Sequence, residues 1–255
     1  STPLYSSAAS DVYKRQLRGR ALSPTKLRAT FFGFLARTLV SPMSVIPKRS
    51  MCNLCLRAQS ACICHWIRPT AHELEVLFLQ HPLEVSNAKN SARLLHLSLP
   101  RSRLVVGETF DYDELHHLLY DCADTPAQTI RPVLLYPDTS ADHKVALPPS
   151  WPEPKDGNAS GVYRLVVIDA TWRKSRKMLY LNPLLQQLPR LPLADVPASH
   201  YAIRKAHKPG QLSSFEATCY ALMQLENDAD KYLPLLTAFD GFVAQQQAYR
   251  PETDV

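Results

Sequence analysis

Four short apolar runs set the rhythm of the chain: LEVLFL at 74–79, RLVV at 103–106, PVLLY at 132–136 and RLVVI at 164–168. Their length and their Val, Leu and Ile content predict strands buried on both faces. Helical patterns over 86–99, 112–121, 172–188 and 212–226, and another over about 231–248, lie between or after them. Strands alternating with helices predict an α/β layer fold, a mostly parallel sheet with flanking helices. Residues 146–161, dense in proline and polar residues, read as a surface loop before the fourth strand.

In open parallel sheets, ligands collect beyond the carboxyl ends of the strands. Here the runs exit into Gln80-His81-Pro82-Leu83-Glu84, Gly107-Glu108, Tyr136-Pro137-Asp138 and Asp169-Ala170-Thr171-Trp172. Either the four exits converge on one crevice, or they are polar only because loops are. The last is the most unusual: one acid, then Thr and Trp, then Arg173, Lys174, Arg176 and Lys177. A buried strand explains the run and a solvated helix explains the bases, but neither explains the junction.

Composition narrows the classes. The seven glycines form neither G-x-G-x-x-G nor a Walker loop, which argues against a Rossmann nucleotide site and a P-loop. No apolar run approaches the roughly 20 residues of a membrane span, so no membrane partner is expected. The net charge of +6 is unevenly placed. Residues 17–42 hold Arg18, Arg20, Lys26, Arg28 and Arg37 with no acid, and residues 1–16 add +1, so residues 43–255 sum to zero. Asp11 to Gln16 matches the translation of a transposon-based sequencing adapter, GAT GTG TAT AAG AGA CAG. Residues 1–42 are therefore expected to be an adapter artefact followed by an untranslated or disordered leader, with Met43 or Met51 as the start. A mitochondrial-type presequence also suits the composition of 17–42.

Cys52, Cys55, Cys62 and Cys64 form C-x2-C-x6-C-x-C. Four thiolates at this spacing suit a tetrahedral structural Zn²⁺. Disulfides are the competing reading, disfavoured because no secretion signal precedes the cluster and C-x-C bridges poorly. A zinc-binding segment is assigned to 43–72, ahead of an α/β domain at 73–255.

Residues 160–210 carry nine Lys and Arg against Asp169 and Asp195, a balance of +7, whereas 211–255 balance at −5. One basic third in a neutral domain fits a phosphate-contacting face, although a solvated helix face would account for 173–177 alone. A second block, SHYAIRKAHKPGQLSSFEA at 199–217, combines Ser199, Tyr201, Arg204 and Lys205 with a turn at Gly210. Ser213 with Glu216 is also a capping-box pattern, which gives Glu216 a structural reading.

DATW at 169–172, taken with QHPLEVSNAKNSARLL, LLYPD and SHYAIRKAHKPGQLSSFEA in this order, resembles the DTW-domain family. The resemblance runs from about residue 50 to about residue 225 and includes the cysteine cluster; Ser214 stands where the family usually has Thr. It implies a tRNA-uridine aminocarboxypropyltransferase, which moves the 3-amino-3-carboxypropyl group of S-adenosylmethionine to N3 of a uridine. It also implies a SPOUT-like fold with a C-terminal trefoil knot forming the S-adenosylmethionine pocket.

Uridine N3 must lose a proton to become nucleophilic, and Asp169 at a strand end is the candidate base. Thr171 is expected to cap the following helix and border the cofactor. Trp172 either stacks on a base or the sulfonium ligand, or anchors the core. Arg204 and Glu216 are candidates for the carboxylate and ammonium of the donor, with Ser199 as a smaller donor and Tyr201 beside them. His81, Glu84, Asn87 and Lys89 are placed at the substrate rim, Glu84 either orienting substrate or capping the next helix. Lys174, Lys177 and Lys205 are expected on tRNA phosphates. Two other readings remain: a SPOUT-type RNA methyltransferase using the same cofactor, and a non-catalytic zinc-stabilised RNA-binding module. The expected location is the cytoplasm, with tRNA as partner and no obligate protein partner.

Overall fold

A computed structural model describes residues 50–121, 129–137, 145, 147–149, 161–193, 197 and 212–249, all in one compact unit. The leader 1–42, most of the proline-rich loop, and Ser199, Tyr201, Arg204 and Lys205 lie outside the described residues.

Five strands form one sheet: β1 (Glu75–Gln80), β2 (Ser102–Val106), β3 (Ile130–Leu135), β4 (Val162–Asp169) and β5 (Arg190–Leu191). Their order is β2-β1-β4-β3-β5, and every pairing is parallel. The four apolar runs are therefore strands, and the two-residue β5 is an addition too short for periodicity to reveal. Alternation along the strands divides the core. Val76, Phe78, Leu165 and Val167 face one layer, while Leu77, Leu79, Val166 and Ile168 face the other.

The first layer holds α2 (Ala92–Ser98), α6 (Ser214–Glu226) and α7 (Leu233–Ala248), together with the cysteine segment. The second holds α3 (Tyr112–Tyr120), α4 (Trp172–Leu181) and α5 (Pro183–Gln186). A four-residue helix, α1 (Pro82–Val85), follows β1 directly.

Two expected helices are broken, each for a local reason. The pattern over 86–99 becomes helical only at Ala92, because Asn87 Oδ1 accepts from Lys89 N at 3.0 Å and Asn90 Oδ1 from Ala92 N at 3.1 Å. Such side-chain acceptors offer the backbone a turn instead of a helix. The pattern over 172–188 divides at Asn182, which precedes Pro183 and has φ −120° and ψ 85°. The proline ring drives its predecessor out of the helical region.

Arg164 is the polar exception within β4. It is 2% exposed, pairs with Glu75 in register through Nε and Nη2, and donates to the carbonyls of Leu118 at 2.6 Å and Asp121 at 2.7 Å. Saturating its donors is what makes a buried guanidinium tolerable.

The topology also marks a crevice. From β1 the chain crosses through the first layer to β2, and from β4 it crosses through the second layer to β5 on the far side of β3. Adjacent strands β1 and β4 thus diverge onto opposite faces and in opposite directions, the switch point at which parallel sheets hold ligands. Gln80 and Asp169 are its two last, mutually paired residues.

Candidate active site

The carboxyl edge of the sheet gathers buried polar side chains: Gln80, His81, Glu84, Asn90, Asp169, Ser175 and Asn182. Polar groups survive such burial only when hydrogen-bonded, and here Gln80, Asn90 and Asp169 bond to each other while the rest bond to neighbouring residues. Asp169, 5% exposed, accepts at Oδ2 from Gln80 Nε2 at 2.9 Å and from Asn90 Nδ2 at 2.5 Å. Among the described residues no hydrogen bond reaches Oδ1. The Asp169 carbonyl accepts from His81 N at 3.0 Å, fixing the two strand exits against each other.

Around this centre α4 is tied to the neighbouring exits. Lys174 Nζ reaches Glu84 Oε1 at 3.0 Å, and the second Glu84 oxygen accepts from Asn87 Nδ2 at 3.0 Å. Lys177 Nζ meets Glu108 at 3.0 Å, and His81 Nε2 lies 3.0 Å from the same carboxylate. His81 Nδ1 accepts from Leu83 N, capping α1, so its Nε2 carries the proton that Glu108 receives. The hydrogen bonds from Lys177 and then from His81 hold the Glu108 carboxyl below its ordinary pKa. Asn182 completes the frame by donating to the Glu108 carbonyl at 2.9 Å and accepting from Phe110 N at 2.9 Å.

The third exit joins through its ring. Tyr136 meets Trp172 edge-on, centroids 6.0 Å apart, and its hydroxyl lies 3.4 Å from Ser175 Oγ. Residues from all four strand ends therefore surround one region; Asp138 lies outside the described residues. Trp172 is 46% exposed, so it is not a core anchor. With Arg173, Arg176, Lys177, Tyr180 and Val145 it lines a cavity of about 960 Å³.

The structure bears on three individual residues. Thr171 occupies the N-cap of α4 but its hydroxyl makes no capping bond, so the expected side-chain cap is absent; its carbonyl accepts from Ser175 N at 2.8 Å. Glu216 does form the capping box of α6: Ser213 Oγ accepts from Glu216 N at 3.2 Å, and Glu216 Oε2 accepts from Ser213 N at 2.9 Å. Lys89 is exposed beside half-buried Asn87. Gln80, Asn90 and Glu108 emerge as the partners that position the candidate residues. The one sequence clue to Gln80 was a polar residue ending an otherwise apolar strand.

The cysteine segment has its own geometry. The four sulfurs lie within 4.8 Å of one another, with Cys52–Cys64 at 3.6 Å and Cys55–Cys62 at 3.8 Å. All four are free thiols. A tetrahedral site with Zn–S bonds of about 2.3 Å separates its sulfurs by about 3.8 Å, so the cluster fits a metal ion. Backbone N–H groups of Cys55 and then Leu54 lower the Cys52 pKa to about 6, toward the thiolate a metal needs. Leu56 takes a positive φ of 59° to close this knuckle.

Among the described residues no helix is long and apolar enough to cross a membrane. Comparison with known proteins adds three findings. The DTW domain family matches residues 49–247. The tRNA-uridine aminocarboxypropyltransferase 2 of Drosophila melanogaster is 31% identical over 184 residues, 71% of this chain and 68% of that protein. Those of Mus musculus and Macaca fascicularis are 26% and 24% identical, covering 73% of this chain and 60% of each relative. No solved structure gives a significant match.

Proposed function

The chain belongs to the DTW-domain family, and from that premise we propose that it transfers the 3-amino-3-carboxypropyl group of S-adenosylmethionine to N3 of a uridine in tRNA. The observation that carries this reading is Asp169, the acid of the DATW junction, held at the switch point by two amides. Both amides donate, so Oδ2 is committed as an acceptor and Oδ1 is the oxygen left to accept a substrate proton. Asp169 would take the N3 proton, with Gln80 and Asn90 keeping its carboxylate from turning away. S-adenosylmethionine, when bound, would supply a sulfonium-activated carbon: the new bond to N3 would form as the bond from that carbon to sulfur breaks, the neutral thioether methylthioadenosine leaving. Trp172, half-exposed at the mouth, offers a π-face to a sulfonium or a base. Glu84 and Lys174 hold each other, and in this reading they fix the distance between α1 and α4.

The RNA would lie along α4. Trp172, Arg176 and Tyr180 recur every four residues and share one helix stripe, with Arg173 and Lys177 beside it. The Lys177 side chain is 58% exposed and can reach a phosphate from its place by Glu108. Exposed aromatics between cations suit unpaired nucleotides. Arg204, Lys205, Ser199 and Tyr201 remain proposed contacts to donor and RNA, as does a SPOUT-like knot built from their segment. The four cysteines would hold one structural Zn²⁺, closed to catalysis because no coordination position is left.

The test is nucleoside mass spectrometry of unmodified tRNA after incubation with the protein and S-adenosylmethionine. A uridine heavier by one aminocarboxypropyl group is expected. A methyl gain would transfer the protein to the methylating class, and tRNA binding without any product would leave a binding module.

A further inference from the structure

Apart from the polar cluster around Asp169, Arg190 stands out as buried with too few partners. Arg190, the first residue of β5, is 7% exposed. Its Nη1 donates to the Leu185 carbonyl at 2.9 Å, and its Cζ lies 5.7 Å from the centroid of the Tyr136 ring. Nε and Nη2 are buried and have no hydrogen-bond partner among the described residues. Leaving such donors unmet is strongly unfavourable, more so on a charged group. Burial pushes the Arg190 pKa down, as expected of a charge withdrawn from water.

Arg164 supplies the comparison within the same sheet. Its Nε and Nη2 both meet the Glu75 carboxylate, and its remaining donors meet carbonyls. The edge that binds a carboxylate in Arg164 is therefore the edge left unmet in Arg190. Location gives this edge a use. Arg190 pairs with Leu134, two residues before Tyr136. The Tyr136 ring is in contact with both the guanidinium and Trp172, and Trp172 lines the cavity along α4.

We propose that the Nε/Nη2 edge of Arg190 is the seat of a small-molecule carboxylate, namely the α-carboxylate of the aminocarboxypropyl donor. The proposal rests on the donor assignment made above. A carboxylate matches the edge in charge and in its two coplanar acceptors. A phosphodiester would have to bring its flanking sugars into a buried position. Anchoring the amino-acid end also determines which carbon of the sulfonium faces the nucleophile, so Arg190 acts as a positioning residue for group choice. Arg204, proposed for the same end of the donor, lies outside the described residues.

The experiment is calorimetric binding of S-adenosylmethionine and of its decarboxylated analogue to the full chain, wild type and Arg190→Met. Wild type is expected to prefer the carboxylate-bearing ligand by about ten- to hundredfold, the range of one or two charge-assisted hydrogen bonds. Arg190→Met should abolish that preference while binding the decarboxylated analogue as wild type does. Arg190→Lys, which keeps charge but loses the fork, should fall between, and it is read in place of the Met variant if that variant does not fold. A preference retained without the guanidinium overturns the proposal. So does an equal loss for both ligands, which makes Arg190 a packing residue, or a loss confined to tRNA affinity, which gives it to the RNA. Wild type binding both ligands equally removes only the carboxylate seat. Wild type binding neither removes the donor assignment and this proposal with it.

Discussion

The two oxygens of Asp169 are treated differently, and that difference decides what a substitution there should do. Oδ2 is held by Gln80 and Asn90, so Asp169→Asn can keep one carbonyl oxygen on those amides and lose only the acceptor at Oδ1. The folded protein and its donor affinity should survive, while transfer falls by about 10²- to 10⁴-fold, the usual worth of a general base. Full rate with an unchanged pH profile would sink the assignment. Glu108 makes a prediction of a different kind. Its folded pKa is depressed by Lys177 and His81, below the unfolded value near 4.5. Its stabilising contribution is therefore present above that value and lost as pH falls through the lower, folded one. Urea unfolding of wild type and Glu108→Gln should differ at neutral pH and converge in acid. A difference that persists at the acid end would show that the pairing is not the cause. Asp169 was legible because an acid closing an apolar run has no packing explanation. Its partners were not, since Asn90 lies 79 positions away and meets it only through the fold.

At the scale of elements, sequence periodicity found the four long strands and the helices but not their breaks, and the reason is specific. Hydrophobic spacing reports which face is buried, whereas Asn87 and Asn90 break a helix by competing for backbone groups and Pro183 by excluding its predecessor from the helical region, neither disturbing that spacing. The capping box of α6 was legible for the same reason in reverse, being purely local. Ser213→Ala should cost about 1 kcal/mol of stability in denaturant unfolding. It should leave donor binding unchanged if Ser213 serves only the helix. For α4, the basic residues were legible as charge, but not which of them a carboxylate already occupies. Lys174 and Lys177 have acidic partners while Arg173 is exposed beside the aromatic stripe. Replacing Arg173 and Arg176 together by Glu should weaken tRNA binding and reduce its salt slope by roughly 2. An unchanged slope would move the RNA to another face.

Across the whole molecule, the cysteine segment and the candidate site form one connected structure. The segment is fastened to α7, where Trp66 donates to Gln245 at 2.7 Å, Gln245 donates to the Cys62 carbonyl at 3.1 Å, and the Tyr249 hydroxyl donates to the Ser60 carbonyl at 2.7 Å. A Cβ on Gly241 would lie 2.2 Å from the Trp66 ring, so the contact depends on that glycine. In the other direction Arg57, two residues past Cys55, donates to the Ala88 and Asn90 carbonyls, each at 2.6 Å. Asn90 in turn holds Asp169. A metal bound by the four thiolates would thus hold the loop whose arginine steadies an amide of the candidate site. Elemental analysis should find one zinc per chain, and chelation should lower the melting temperature, because metal binding is linked to folding. The route to the site can be separated from the metal itself with Arg57→Ala. That variant should keep its zinc and its donor affinity yet lose transfer rate, because Asn90 would no longer be fixed from both sides. If Arg57→Ala transfers at the wild-type rate, the zinc segment serves stability alone. If chelated protein melts unchanged, the cysteines hold no metal that the fold needs.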